Sequence, residues 1–461
     1  MKNYPLIVIG AGAGGLVVAI GAAKAGKKVL LIEKGNYGGE CTNFGCIPSK
    51  SLIASANAAH AQKEGAKLGI HSSSQVLKTS EALTRTRRIV EEVRAHEEPA
   101  ALELLGVDTI TGTASFKDPH VLQVGDEEFY GQKIVIATGS SPAVPPIKGL
   151  DKTPFLTNES VFELKEIPET LIVMGGGPIG CELAQAFARL GANVSLVHSH
   201  TELLNKEEPS VQELIAKIFA KEGISLFLGV RPQKVSYQNN RFHLILDNGK
   251  TLESQALLVA IGRKPNVASL NLKAAGVEYT EKGIPVDAFG RTNIEHIWAI
   301  GDVVGKPFFT HWAESQARSV LTSLLLPFKK KLEKQALPRV TYIDPEVASV
   351  GLSEEEAEKK HTIATYLVPF SSVDRAITTG RTEGFIKIVT KKWSSQILGC
   401  TIVAPRAGEM LGEISLAMLA KIPLRKLARL IHPYPTYNQA IRKAADLWLT
   451  QTILSAFKRK K

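Results

Sequence analysis

The sequence predicts an α/β chain with two Rossmann-like dinucleotide-binding domains, followed by an α+β domain of its own. Three observations carry this expectation. A glycine fingerprint of the form G-x-G-x-x-G occurs twice, at Gly10, Gly12, Gly15 and at Gly175, Gly177, Gly180. Each copy stands between a short apolar strand and an apolar helix, with a second strand beyond, which is the opening βαβ unit of a dinucleotide fold. From about Pro338 the texture changes to alternating strand and helix patterns.

The first unit begins with the apolar run Leu6–Ile9, turns through Gly10–Gly15, continues as an Ala-rich helix to Ala25, stops at Gly26 and resumes as the strand Val29–Ile32. Glu33 ends that strand about 20 residues beyond the glycines, where a carboxylate accepts hydrogen bonds from a ribose. The glycines let the backbone approach a pyrophosphate at the positive end of the helix. Residues from Ser49 to about Leu105 read as mainly helical, with a loop near Leu68–Gln75. A β-rich patch follows, then the strand Lys133–Ala137, Thr138-Gly139-Ser140 and a Pro-rich connector at Pro142–Pro146. The second unit runs from the strand Leu171–Met174 through its glycines and a helix to Leu190, then to the strand Asn193–Val197. At that strand's end, where an acid would hold an NAD ribose, the chain has His198-Ser199-His200. The missing acid weakens the case for NADH, and the missing arginine leaves NADPH unproven. Partly protonated histidines would accept a 2′-phosphate, which favours NADPH. Leu257–Ile261 reads as a strand ahead of Gly262-Arg263-Lys264-Pro265, and Ile297–Ile300 leads into Gly301-Asp302. In the last part, strands are expected at Val340–Ile343, Phe385–Val389 and Leu398–Val403. Helices are expected at Ser353–Lys360, Gly408–Ala420 and Tyr437–Leu449.

Two of the chain's four cysteines, Cys41 and Cys46, lie between glycines in Gly38–Lys50. A straight helix would separate their Cα atoms by about 7.5 Å along its axis, and a disulfide tolerates no more than about 7 Å. Bridging them needs a distorted backbone, and Gly45 permits one. A strained disulfide is easily reduced, which suits a redox centre. Buried free thiols are the plainer alternative; zinc lacks a second ligand pair nearby. Two dinucleotide sites beside a reactive pair suggest electrons passing between two nucleotides, FAD at the first and NADPH or NADH at the second.

Composition is that of a soluble protein, with 44% hydrophobic and 22% charged residues. Few cysteines indicate a reducing compartment. Neither a secretory leader nor an apolar run of membrane-spanning length is read, so the cytoplasm is expected. The net charge of +11 gathers in part at Lys329–Lys331 and Lys458–Lys461. No nucleic-acid motif or stacking aromatics accompany these clusters, so they read as solvated surface, with an acidic partner left open. No resident metal site is read.

Together these residues resemble the flavin-dependent pyridine nucleotide–disulfide oxidoreductases, the group of dihydrolipoyl dehydrogenase, glutathione reductase and mercuric reductase. The motifs are the double fingerprint, Gly38–Lys50, Ala137-Thr138-Gly139, Gly262–Pro265, Ala299–Asp302 and Asp344–Leu352. The resemblance spans essentially the whole chain. It implies a FAD domain over residues 1–150 and 276–337, a NAD(P) domain over 151–275 and a dimerisation domain over 338–461, each active site being completed by the partner subunit. It implies that Cys46 is the thiolate against the flavin and Cys41 the outer, exchanging thiol. Lys50 would sit near the reactive flavin nitrogen and pair with Glu182. Asp302 would bind the ribityl chain, Ala114 would lie near the adenine, and Gly262 and Arg263 would border the nicotinamide nucleotide.

One departure bears on the acceptor. Members acting on organic disulfides carry His-x-His-Pro-Thr and a following Glu, the second histidine serving as acid–base for the exchanging thiol. Here the segment reads His432-Pro433-Tyr434-Pro435-Thr436, with Gln439 in place of the glutamate. An ordinary tyrosine, with a pKa of about 10, is a poor base at neutral pH. Mercuric reductase-like members also place tyrosine here, since a metal ion held between thiolates needs no proton donor; they usually add a C-terminal cysteine pair, which Ala456–Lys461 does not supply. The leading expectation is an NAD(P)H-driven flavoenzyme whose Cys41–Cys46 pair reduces a metal ion or small sulfur species. The alternatives are a dihydrolipoyl dehydrogenase with its base relocated, His432 being the candidate, and a non-catalytic flavoprotein redox sensor. Cys181 and Cys400 read as packing residues.

Overall fold

The fold was analysed in a computed structural model that describes residues 1–71, 79–332 and 336–455. The expected loop at Leu68–Gln75 lies partly, and the basic run Lys458–Lys461 wholly, outside the described residues.

The chain opens with β1 (Lys2–Ile9), α1 (Ala13–Lys24) and β2 (Val29–Glu33). Ile7, Val8, Leu30 and Leu31 are fully buried because parallel strands covered on both faces need apolar side chains on both. β1 pairs in parallel with β2, Leu6 opposite Val29, and with the strand Glu127–Ile136, Leu6 opposite Lys133. The latter strand is longer than the sequence suggested, since its first half pairs antiparallel with Val121–Val124. Its second half receives Ile297–Ala299 as a parallel neighbour, which returns the chain to the first sheet beside Asp302.

A second, all-parallel sheet orders Ser225–Leu228, Asn193–His198, Thr170–Met174 and Ala256–Val259. The strand expected at Leu257–Ile261 therefore lies slightly earlier, because its end turns into the crossing Arg263–Pro265 that pairs with Ser140–Pro142. Between these elements stands a three-stranded antiparallel sheet, Pro232–Gln238, Arg241–Leu246 and Thr251–Ser254, that the sequence reading did not anticipate. The last part is a five-stranded antiparallel sheet ordered Arg339–Thr341, Glu346–Gly351, Ile397–Ala404, Phe385–Lys391, Ile363–Pro369, packed by the helices Ala407–Leu419 and Gln439–Leu447. The expected helix at Tyr437–Leu449 starts two residues later and continues as a wider π-helical turn over Trp448–Leu454.

The two glycine turns repeat each other in detail. A Cβ on Gly15 would run into the Gly10 carbonyl oxygen, and one on Gly180 into that of Gly175, so only glycine lets each helix pack against its own strand. Around Gly177 a Cβ would meet nothing within 4 Å, and around Gly12 only Gly39 at 3.8 Å. The middle glycine is thus not demanded by packing; it keeps the helix N-terminus open.

Arg189, at the end of the second glycine helix and only 4% exposed, ties three regions together. It pairs with Glu222 at 2.6 Å and Asp344 at 2.8 Å and donates to Asn57 Oδ1 at 2.5 Å. Burial alone would raise the Asp344 carboxyl, but Arg381 and Arg189 hold it below its ordinary value. Removing one partner strands the opposite charges in a desolvated site. Arg189→Ala should therefore destabilise the protein by about 3–5 kcal/mol, read as a lower urea midpoint; an unchanged midpoint would show these charges to be solvated.

Candidate active site

The site grows from a break in a helix. α2 (Gly39–Asn43) carries Cys41 and ends at Phe44, and α3 (Cys46–Glu64) begins with Cys46 as its first residue. The distortion expected between the cysteines is present, but its cause is different. Gly45 has φ −118°, not a left-handed value; a Cβ there would lie 2.8 Å from Glu40 Oε2 and 3.1 Å from the Glu40 carbonyl oxygen, so a larger residue would have to shift Glu40. The cysteines are free thiols, close enough for the Cys41 thiol to donate to the Cys46 sulfur.

That hydrogen bond dominates the electrostatics of the pair. It lowers the Cys46 pKa to about 6, helped by Lys50 and Thr310 against the cost of burial, and it pushes Cys41 up. Cys46 also stands at the N-terminus of α3, and Thr310, whose Oγ1 lies 3.6 Å from Cys46 Sγ, opens the helix Thr310–Leu325. Two positive helix ends thus face one sulfur.

Lys50 lies one turn further along α3. Its Nζ pairs with Glu182 Oε2 at 2.8 Å and sits 4.5 Å from the centroid of the Tyr342 ring. Burial opposes the Lys50 charge, but Glu182 outweighs it and keeps the pKa above its ordinary value. Glu182 Oε1 accepts the Tyr342 backbone N–H at 2.8 Å.

A second network surrounds Arg263. Its guanidinium, 9% exposed, donates to Glu40 Oε1 at 2.7 Å, to Ser140 Oγ at 2.8 Å and to the Ser140 carbonyl at 2.8 Å. Ser140 Oγ in turn donates to Asp302 Oδ2 at 2.5 Å, and Asn158 Nδ2 donates to Glu40 Oε1 at 2.7 Å. Burial pushes both the Glu40 and Asp302 carboxyls up.

These groups line one cavity of about 880 Å³. The structure brings Gly10, Gly12, Glu33, Ala114, Thr138, Gly139, Asp302, Arg263, Cys41, Cys46, Lys50 and Glu182 together on its wall. Gly15 packs behind it. Gly175, Gly177, Gly180, His198 and Gly262 lie around the second turn, outside this lining. There the His198 ring packs against Gly176, and its Nε2 is buried without a hydrogen-bond partner. Burial, then His200, lowers the His198 pKa. Desolvation thus favours the neutral His198 ring when no phosphate stands beside it.

Tyr434 is not brought to the cysteines of its own chain. It is 70% exposed, and its hydroxyl donates to Asp374 Oδ2 at 3.0 Å, which pushes the phenol's pKa up. Sequence reasoning missed Glu40, Ser140, Asn158, Thr310 and Tyr342. Glu40 and Ser140 stand inside or beside quoted motifs, but Asn158, Thr310 and Tyr342 carry no local signal and reach the site only through tertiary packing.

The family assignment follows from comparison with known proteins. Residues 4–317 match the model of the pyridine nucleotide-disulphide oxidoreductases, and residues 337–445 match the dimerisation domain of the same family. This chain belongs to that family. It is 35% identical over 456 residues to a mercuric reductase of Lysinibacillus sphaericus, covering 97% of this chain and 84% of the relative. It is 34% identical to a dihydrolipoyl dehydrogenase of Haloferax volcanii, covering 97% of each. Among solved structures, the Cu(II) complex of the HOCl-induced flavoprotein disulfide reductase RclA from Escherichia coli superposes with a TM-score of 0.89 at 30% identity, covering 97% of this chain and all of the other. The protein is accordingly an FAD-dependent NAD(P)H oxidoreductase acting on a sulfur group, and its dimerisation domain supports a homodimer. Among the described residues no helix is long and apolar enough to cross a membrane.

The cavity fits FAD on its own evidence. The α1 N-terminus has no side-chain cap, so its N–H groups are free for a pyrophosphate. Glu33 and Asp302 both border the cavity; Glu33 accepts the Ala11 N–H at 2.7 Å and the Gly35 N–H at 3.0 Å, Asp302 accepts from Ser140, and each carboxylate keeps lone pairs for a hydroxyl.

Thiolate at Cys46 forms above its pKa, so the long-wavelength thiolate–flavin absorbance of the reduced enzyme should appear as pH rises through about 6. Lys50→Met should move that midpoint upward by roughly one unit. Tyr342→Leu should move it in the same direction and Tyr342→Phe should restore it, because the ring face rather than the hydroxyl meets Lys50. A midpoint indifferent to Lys50→Met and to Tyr342→Leu would remove Lys50 as the thiolate's partner.

Proposed function

We propose that this enzyme passes two electrons from NADPH or NADH to the Cys41–Cys46 pair and on to a small thiophilic acceptor. That acceptor is a metal ion held between thiolates, or a small oxidised sulfur species. The observation that carries the reading is the state of Tyr434, exposed, bonded to Asp374 and held in its protonated form, with Gln439 following in place of a carboxylate. An organic disulfide needs a proton delivered to its leaving thiolate; a metal ion does not. The mercuric reductases among the relatives and the Cu(II) complex among the solved structures support the same direction.

In this reading residues 1–150 and 276–337 form the FAD domain, 151–275 the NAD(P) domain and 338–461 the dimerisation domain, in a cytoplasmic protein. Gly10, Gly12, Gly15, Glu33, Ala114, Thr138, Gly139 and Asp302 hold FAD, and Gly175, Gly177, Gly180, His198, Gly262 and Arg263 hold the nicotinamide nucleotide. When bound, FAD relays the hydride's two electrons from the nicotinamide to the sulfurs. In net terms the disulfide gains a hydride equivalent and becomes one thiol and one thiolate. The hydrogen bond from Cys41 to Cys46 suits that product: the proton rests on Cys41 and the negative charge on Cys46, beside Lys50. Cys41 then exchanges with the acceptor.

A second reading rests on His432. This histidine is 4% exposed, its Nε2 lies 3.0 Å from Glu413 Oε1, and Asn438 Nδ2 donates to the same carboxylate at 2.9 Å. A histidine oriented by a carboxylate is the usual form of an acid–base pair, and it favours a dihydrolipoyl dehydrogenase with its base relocated.

An acceptor screen distinguishes the two. Hg(II) and Cu(II), presented as thiol complexes, should be reduced with kcat/KM at least about 100-fold above lipoamide or glutathione disulfide, the usual span of an acid–base contribution. Efficient lipoamide reduction, lost in His432→Gln, would establish the second reading instead. In an anaerobic titration with NADPH, and separately NADH, uptake of about four electrons per FAD is expected, falling to two in Cys46→Ser; this also ranks the two nucleotides. Two electrons in the unaltered enzyme would make the cysteines bystanders.

A further inference from the structure

Charge is not spread evenly along this chain. Residues 384–461 hold fourteen lysines and arginines against three acids and so carry the whole net charge of +11, while residues 1–383 hold 42 of each sign. The one acid between residues 414 and 461, Asp446, is paired with Arg442 at 2.9 Å.

Part of this excess gathers at one end of the antiparallel sheet. The turn joining Phe385–Lys391 to Ile397–Ala404 carries Lys391, Lys392 and Trp393. The short helix Leu424–Leu427 docks beside it, with Leu424 N donating to the Ser395 carbonyl at 2.7 Å. Trp448 Nε1 reaches the Lys392 carbonyl at 3.2 Å. Arg425 lies 6.0 Å from the Trp448 ring centroid and Lys392 5.4 Å from that of Trp393. Lys421, Arg425, Lys426 and Arg429 are exposed. Among them Trp393, next to Lys392, is 60% exposed, and Leu449, which follows Trp448 in the chain, is 50% exposed.

We propose that this end of the C-terminal domain docks the enzyme onto an anionic lipid surface. Basic residues supply attraction to the headgroup charge, and each one near such a surface adds to it. Trp393 and Leu449 supply the second signal that stable peripheral binding needs, an apolar group entering at headgroup depth. Charge complementarity alone would serve a nucleic acid equally. The choice of lipid rests on the exposed Trp393 set among these basic residues, a side chain that meets an acyl boundary well and a duplex phosphate backbone poorly.

The test is co-sedimentation of the FAD-loaded dimer with vesicles of phosphatidylcholine alone, and of equal parts phosphatidylcholine and phosphatidylglycerol. Binding is expected to the anionic vesicles only, and to be released by high salt, which screens exposed charge. Lys391→Glu/Lys392→Glu should weaken it by about tenfold or more, and Trp393→Ala by a few-fold. NADPH-dependent acceptor reduction should be unchanged in both variants, which shows that they fold. Binding to neither vesicle, equal binding to both, or undiminished binding of the double variant would overturn the proposal. So would retention of duplex DNA in preference to anionic vesicles.

Discussion

One carboxylate holds the reacting parts of this molecule in register. Glu182 takes Lys50 on one oxygen and the Tyr342 backbone N–H on the other, each at 2.8 Å. These three residues belong to the helix that begins at Cys46, the helix of the second glycine turn and the start of the C-terminal sheet. Glu182 is nearly buried, and a buried charge is tolerated only with a hydrogen-bonded partner of opposite sign. Loss of Glu182 leaves the Lys50 ammonium and the Tyr342 N–H without this partner, and loss of Lys50 leaves the buried carboxylate without its counter-charge. The pair therefore ties α3 to the helix of the second glycine turn, whose apolar side chains share one core, and holds the ammonium near Cys46.

Arg263 does the same on the other side of the cavity. It joins Glu40, next to Cys41, with Ser140 and through it Asp302. Two carboxyls raised by burial and one guanidinium share this wall. The cysteine loop is thus clamped from both flanks, by Lys50–Glu182 and by Glu40–Arg263. Rigid clamping matters for a thiol pair, because the stabilisation of one thiolate by its neighbour's proton depends on holding two sulfurs at hydrogen-bond distance.

The electrostatics of the pair and the exposed Tyr434 support one account of the chemistry. A thiolate favoured by a neighbouring thiol, an ammonium and two helix ends is stable without an external base. Such a dithiol is ready to bind a thiophilic acceptor directly, which agrees with the acceptor class proposed above. The hydrogen bond from Tyr434 to Asp374 raises the phenol's pKa above its ordinary value, which makes it a poorer base at neutral pH.

By itself the sequence determined the fold class, the two glycine turns and the cysteine pair, because each belongs to a motif written in local spacing; the Lys50–Glu182 partnership, 132 residues apart, was legible only through the family resemblance. It also located the helix break at Gly45 but misread its cause, since a close approach to Glu40 leaves no trace in a propensity. The three-stranded sheet at 232–254 went unread because short antiparallel strands with one wet face give a weak pattern. Only the tertiary structure decided that Thr310 meets Cys46, that Tyr342 covers Lys50 and that Arg263 reaches Glu40. Those contacts span 223 to 292 residues of sequence. They arise when strands far apart in the chain enter one sheet, an outcome set by the packing of the whole core and by no segment of it.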